Sequence, residues 1–107
     1  MKRFGQIINI KPEGRAEYIK LHEKIPPKVA AIIRGCNIQN YSIFIKGDIL
    51  FAYYEYAGKD YAADMAMMAA AAETQKWWDT VKPLMLPLAD RKADEFWSDM
   101  HPVFYQE

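Results

Sequence analysis

The stretch "NIQNYSIFIKGDILFAYYEYA", residues 37–57, decides the fold. Ile43 and Ile45 alternate with Phe44, and Tyr41 shares the parity of the two isoleucines. "ILFAYYEYA", residues 49–57, is a second run of β-branched and aromatic residues. The two are joined by "KGD", residues 46–48, a short link containing glycine. Two such runs with a tight glycine link predict an antiparallel hairpin.

Outward from the hairpin, "RFGQIINI" (3–10) predicts a strand, rich in isoleucine and phenylalanine. "KPEGRAEYIKLHEKI" (11–25) predicts a helix, with Pro12 near its first turn and Glu13 and Glu17 early. Pro26 and Pro27 interrupt it, because a proline biases the residue before it away from helical geometry. "PKVAAIIRG" (27–35) resumes as a helix with Val29, Ile32 and Ile33 inward and Gly35 at the position just past its end. Beyond the hairpin, 59–72 predicts a helix with Tyr61, Met65 and Met68 on one face. "TQKWWDTVKPLM" (74–85) predicts a further turn or helix with Thr74 as its N-cap. Residues 86–100, polar and broken by proline, read as loop, and "HPVFYQE" (101–107) as a short closing strand. The order β-α-β-β-α-β is the ferredoxin-like arrangement, an α+β fold with helices on one face of a four-stranded antiparallel sheet. The second face of such a sheet is uncovered, and aromatic strands suit it to dimerisation.

Composition excludes several functional classes. A chain of 107 residues predicts one domain spanning 1–107. Lys+Arg and Asp+Glu are 14 each, and this zero balance lacks the basic excess of a nucleic-acid binder. One cysteine, Cys36, permits no internal disulfide and no multi-cysteine metal site, and reads as a small buried hydrophobe. The segment after Met1, Lys2 and Arg3 is too short and too polar, with Gln6 and Asn9, for a signal peptide or membrane span. The expectation is a cytoplasmic protein with neither a membrane nor a nucleic acid as partner.

Few residues could do chemistry. Histidine can both give and take a proton near neutrality, which singles out His22. Tyr18 lies four residues earlier, so the two side chains are neighbours on one helix face. The plain alternative is a histidine on a solvated face beside Lys20, Glu23 and Lys24. Tyr41 reads first as a core tyrosine. Trp77 and Trp78 are about 100° apart on a helix, so one of them faces a cavity, a partner or solvent. The methionines near the alanine run read as packing, and His101 as a loop or strand-edge residue. Asp90, Asp94, Glu95 and Asp99 read as a solvated acidic stretch without calcium-loop spacing. No phosphate-loop, dinucleotide or hydrolase motif is present, and two histidines make a dedicated transition-metal site a poor fit.

"EYIKLH", a nearby proline, "NYSIF", "LFAYYE", "QKWWD" and the terminal "PVFY", in this order and spacing, resemble the L-rhamnose mutarotase family. The resemblance covers nearly the whole chain. It implies a dimeric α+β barrel and cofactor-free exchange of the α and β anomers of a monosaccharide, L-rhamnose. It also implies that His22 is the proton donor and that Tyr18, Tyr41, Trp77 and Trp78 bind the sugar. The chain departs from the family after the histidine, where relatives run H-N-x-x-W-P-E. Here Glu23 replaces the Asn, Pro26 the Trp and Lys28 the Glu. That departure bears on which sugar is taken more than on the fold. The alternative reading is a non-catalytic sugar- or metabolite-binding barrel; a cofactor-free monooxygenase or haem-degrading relative is a third.

Overall fold

The computed structural model describes residues 1–107. Its strands are β1 (Lys2–Ile10), β2 (Ile38–Lys46), β3 (Ile49–Tyr56), β4 (Met85–Leu86) and β5 (Ser98–Asp99). Its helices are α1 (Arg15–His22), α2 (Pro27–Gly35), α3 (Tyr61–Ala70) and α4 (Ala72–Val81), with single 3-10 turns at Pro12–Gly14 and Lys82–Leu84. The strand order is β2-β3-β1-β4, all pairs antiparallel, with β5 also on β1. This is the ferredoxin-like order expected for the first four strands. The hairpin forms as predicted, with Gly47 taking a positive φ of 57° in its turn.

Facing residues in an antiparallel pair share a side of the sheet. Ile8, Leu50 and Ile45 thus point one way, under the helices, and Ile7, Phe51 and Phe44 the other. The helix side holds the core. Ile8, Ile10, Tyr18, Leu50, Val81 and Met85 form one buried cluster. Ile38, Tyr54 and Tyr56 form a second, against which Phe4, Ile33, Tyr61, Met65 and Met68 pack. The predicted Tyr61–Met65–Met68 face is therefore real, and Cys36 is buried as expected. In β2 a bulge lies between Gln39 and Ser42: Asn40 and Tyr41 together oppose Tyr54. Asn40 takes a positive φ of 50° there, and its amide donates to Glu55 at 2.7 Å.

Four expectations fail. The tail 101–107 forms no strand. Pro102 lacks a donor for a ladder there, and Arg3 instead stacks its guanidinium 3.7 Å from the Tyr105 ring. The missing strand is replaced by β4 and β5, two-residue pieces inside stretches read as helix and loop. Thr74 is not an N-cap: it is buried inside α4, and its hydroxyl has no protein partner. Helix α4 begins at Ala72 because Ala71 turns extended at ψ 131°, and the Gln75 side chain donates to the freed Ala69 carbonyl at 2.5 Å. Gly35 stays helical, and the left-handed residue after α2 is Asn37 at φ 67°. Asparagine tolerates that conformation through local hydrogen bonding.

Candidate active site

Pro26 adopts φ −57°, ψ 132° and starts α2 in a new direction, so α1 ends at His22 as the proline pair predicts. The His22 ring folds back over the preceding turn. Its Nδ1 lies 2.7 Å from the carbonyl oxygen of Tyr18. A carbonyl can only accept, so Nδ1 carries the hydrogen and Nε2 is left free to exchange a proton. The ring stacks on Tyr18 at 4.1 Å between centroids and meets the edge of Trp77 at 5.1 Å. Burial lowers the pKa of His22 below its ordinary 6.5, against the opposing pull of the Tyr18 carbonyl.

Tyr18 is itself buried at the foot of this stack, and burial first, then the nearby Tyr41 phenol, raises its pKa. Tyr41 is 42 % exposed. Its phenol is pushed up to about 12, first by burial and then by Tyr61. The bulge turns Tyr41 to the helix side, where its ring lies 5.5 Å from that of Tyr54. The Tyr54 and Tyr61 hydroxyls meet at 2.5 Å, and Phe4 stacks on both rings at 4.8 and 4.7 Å. Tyr54 is raised most by burial, then by its bond to Tyr61, and Asp99 adds to the rise in both phenols.

Of the five residues singled out from sequence, the structure brings Tyr18, His22 and Trp77 into direct contact. It places Tyr41 beside them on the same side of the sheet. Trp78 turns elsewhere on α4, with the Lys82 ammonium 4.2 Å from its ring. Glu23, Pro26 and Lys28 are all exposed. Pro26 and Trp77 border a shallow groove with Lys20, Leu21 and Lys24.

Sequence reading missed Gln6, Tyr54, Tyr61 and Asp99. One signal was present: Gln6 is a polar residue at the same parity as Ile8 and Ile10. It lies opposite both Ala52 and Asp99, and its amide donates to the Asp99 carboxylate at 2.8 Å. No group of three or more His, Cys, Asp or Glu side chains converges as a metal site would require. The arrangement offers one titratable imidazole, aromatic platforms and a row of neutral phenol donors. That set suits proton transfer to and from a hydroxylated, partly apolar ligand.

Comparison with known proteins fits this chemistry. A family model described as L-rhamnose mutarotase matches residues 3–106. An L-rhamnose mutarotase of Oceanobacillus iheyensis is 32 % identical, with all of each chain covered. Another, from Listeria monocytogenes, is 36 % identical with 98 % of each chain covered. The crystal structure of an L-rhamnose mutarotase from Formosa agariphila superposes over the whole of both chains, with TM-score 0.77 at 22 % identity. Tetracenomycin F2 cyclase from Streptomyces glaucescens shares the fold at TM-score 0.64 and 12 % identity, again over all of both chains. The two structural likenesses bear on fold alone. The sequence matches span nearly the whole chain at 30 % identity or more, and with the family model they show that this chain belongs to the L-rhamnose mutarotase family.

Proposed function

We propose that this protein is a mutarotase that interconverts the α and β anomers of L-rhamnose, with His22 as the proton donor. The observation that supports the mechanism is the anchoring of His22 Nδ1 on the Tyr18 carbonyl, which leaves Nε2 free to exchange a proton. Mutarotation opens a cyclic hemiacetal. Protonated at Nε2, His22 gives its proton to the ring oxygen as the bond from that oxygen to the anomeric carbon breaks. The anomeric hydroxyl loses its proton to a base and becomes the aldehyde. Rotation about one bond and reclosure by the reverse transfers give the other anomer. A lowered pKa makes the imidazolium a stronger acid and a scarcer one near neutrality. Trp77 supplies an apolar platform for the sugar's C–H face and methyl group, with Trp78 further along the same helix. Tyr18 and Tyr41 orient hydroxyl groups, since phenols with raised pKa values stay neutral and donate.

Residues 1–107 act as one domain in this reading, and two copies pair through the open side of the sheet. Phe44, Phe51, Ile49 and Leu86 are exposed there at 62, 37, 47 and 50 %. Such an apolar surface is unusual on a monomer. We place the enzyme in the cytoplasm, on the ground that its single buried Cys36 calls for no oxidising compartment. No helix is long and apolar enough to cross a membrane.

The test is NMR magnetisation exchange between the anomers of L-rhamnose, with L-fucose, D-glucose and D-galactose alongside. Acceleration for L-rhamnose that disappears in His22→Ala supports reaction, sugar and donor together. Acceleration of a different sugar moves the substrate and points to the altered Glu23, Pro26 and Lys28. Binding without acceleration of any sugar replaces the enzyme with a non-catalytic sugar-binding barrel.

A further inference from the structure

The reaction needs a base for the anomeric hydroxyl, and none of Tyr18, Tyr41, Trp77 or Trp78 is one. Neutral phenols and indoles do not accept a proton near pH 7. The helix side of the sheet carries one carboxylate in the right row. Across the strands at this level run Ile43, Ala52, Gln6 and Asp99, each directly opposite the next. Ala52 is the smallest of the four and is fully buried. The phenols of Tyr54 and Tyr61 stand beside this row, joined at 2.5 Å. Gln6 holds the exposed Asp99 through the 2.8 Å bond to its carboxylate. Tyr41 lies against Tyr54 and close enough to Tyr18 to influence its phenol, and Tyr18 meets His22.

We propose that Asp99, held by Gln6, takes the proton of the anomeric hydroxyl while His22 serves the ring oxygen. The proposal rests on the mutarotase reading. On opening, the imidazolium proton goes to the ring oxygen and the bond between that oxygen and the anomeric carbon breaks. The electrons of the anomeric O–H form the carbonyl, and its proton goes to Asp99. On reclosure Asp99 returns that proton to the carbonyl oxygen, and the attacking hydroxyl returns the other to His22. Nothing is consumed, and no co-reactant is needed. The groups around Asp99 agree with this. Burial raises the pKa values of Tyr54 and Tyr61 most, and the charge of Asp99 adds to the rise in both. Glu95 accepts from the Lys92 and Asp99 backbone N–H groups at 3.1 and 3.2 Å, and these bonds, that of Lys92 first, lower its pKa. The second carboxylate is therefore tied to the backbone and is not the base.

The test measures anomer exchange of L-rhamnose across pH for wild type, Asp99→Asn and Asp99→Ala, with thermal melts and sugar binding recorded for each. Asp99→Asn is expected to lower the rate by about 10²–10⁴-fold with binding retained, and to abolish the acid-side limb of the pH profile. Added formate is expected to restore part of the rate to Asp99→Ala by filling the space with a carboxylate. A full rate in Asp99→Asn overturns the proposal. So does a lower rate with the acid-side limb intact and no rescue by formate, which makes Asp99 merely structural. No exchange by wild type itself sinks the mutarotase reading, and the role of Asp99 with it.

Discussion

Alternate residues of β3 serve two surfaces with different physics. Leu50, Ala52, Tyr54 and Tyr56 face the helices, and none is more than 6 % exposed. Their phenols all have partners: Tyr54 on Tyr61, and Tyr56 on the Asp64 carboxylate. Ile49, Phe51, Tyr53 and Glu55 face the other way, with Ile49 at 47 % and Phe51 at 37 % exposed. Eight consecutive residues thus build both a buried wall with paired phenols and a second surface whose end at Ile49 and Phe51 is exposed and apolar. Period-two geometry lets one strand do this without compromise, since neither set of side chains touches the other. On the first surface, pairing of polar groups under burial is what shifts protons. On the second, water-exposed apolar area is what favours association.

Substitutions on one surface therefore leave the other function intact, and this separation is open to attack. The largest effect belongs to His22→Ala, which is expected to cost about 10²–10⁴-fold in kcat/KM for anomer exchange. Its assembly state by analytical ultracentrifugation is expected to match wild type; a change in mass would show that the two surfaces are coupled. Next comes Phe51→Glu, which puts a charge into the proposed interface. An unpaired buried charge costs several kcal/mol or forces the surfaces apart, so the dimer is expected to weaken by at least roughly tenfold. A dimer of unchanged strength would move the interface off this side of the sheet.

A smaller effect concerns pH. The pKa of His22 is lowered on folding, so the unfolded chain binds the proton more readily. The stability due to this neutral imidazole is present in full above the ordinary value of 6.5 and falls as pH drops through 6.5, levelling below the folded value. His22→Asn is expected to flatten that part of a melting-temperature profile while leaving the carboxylate-driven loss at lower pH. Equal slopes in both proteins would deny that burial controls this group. The smallest effect is Tyr54→Phe, which leaves the Tyr61 hydroxyl unpartnered. It is expected to cost about 1 kcal/mol in chemical denaturation, with assembly unchanged.

Short-range grammar was legible in the sequence, and long-range company was not. The hairpin, the Pro26 break and the Tyr18–His22 pair all depend on residues within a few positions of each other. The strands β4 and β5 do not: two residues each, they are extended only because β1 offers free backbone groups on that edge. No propensity within "ML" or "SD" announces this. The same holds for Asp99. In the sequence it is one of four acids in a polar stretch; in the structure it too is exposed, and only the pairing of β5 with Gln6 separates it from the others. Tyr61 read correctly as a packing residue beside Met65 and Met68, yet its hydroxyl also pairs with that of Tyr54. An amphipathic side chain can serve a core and a site at once, and apolar periodicity sees only the first role.

The bulge at Asn40 has a consequence for how this chain could change length. Ile38 and Gln39 pair in step with Tyr56 and Glu55, and Ser42 onward pairs in step with Tyr53 onward. Asn40 is thus a supernumerary letter between two correctly phased words. Removing it would leave every other side chain of the edge strand on its present side, with Tyr41 directly opposite Tyr54. Replacing it with valine would keep the extra letter and force a β-branched residue into a left-handed backbone. At this one position an outright deletion should be gentler than a substitution, the reverse of the usual order inside a strand.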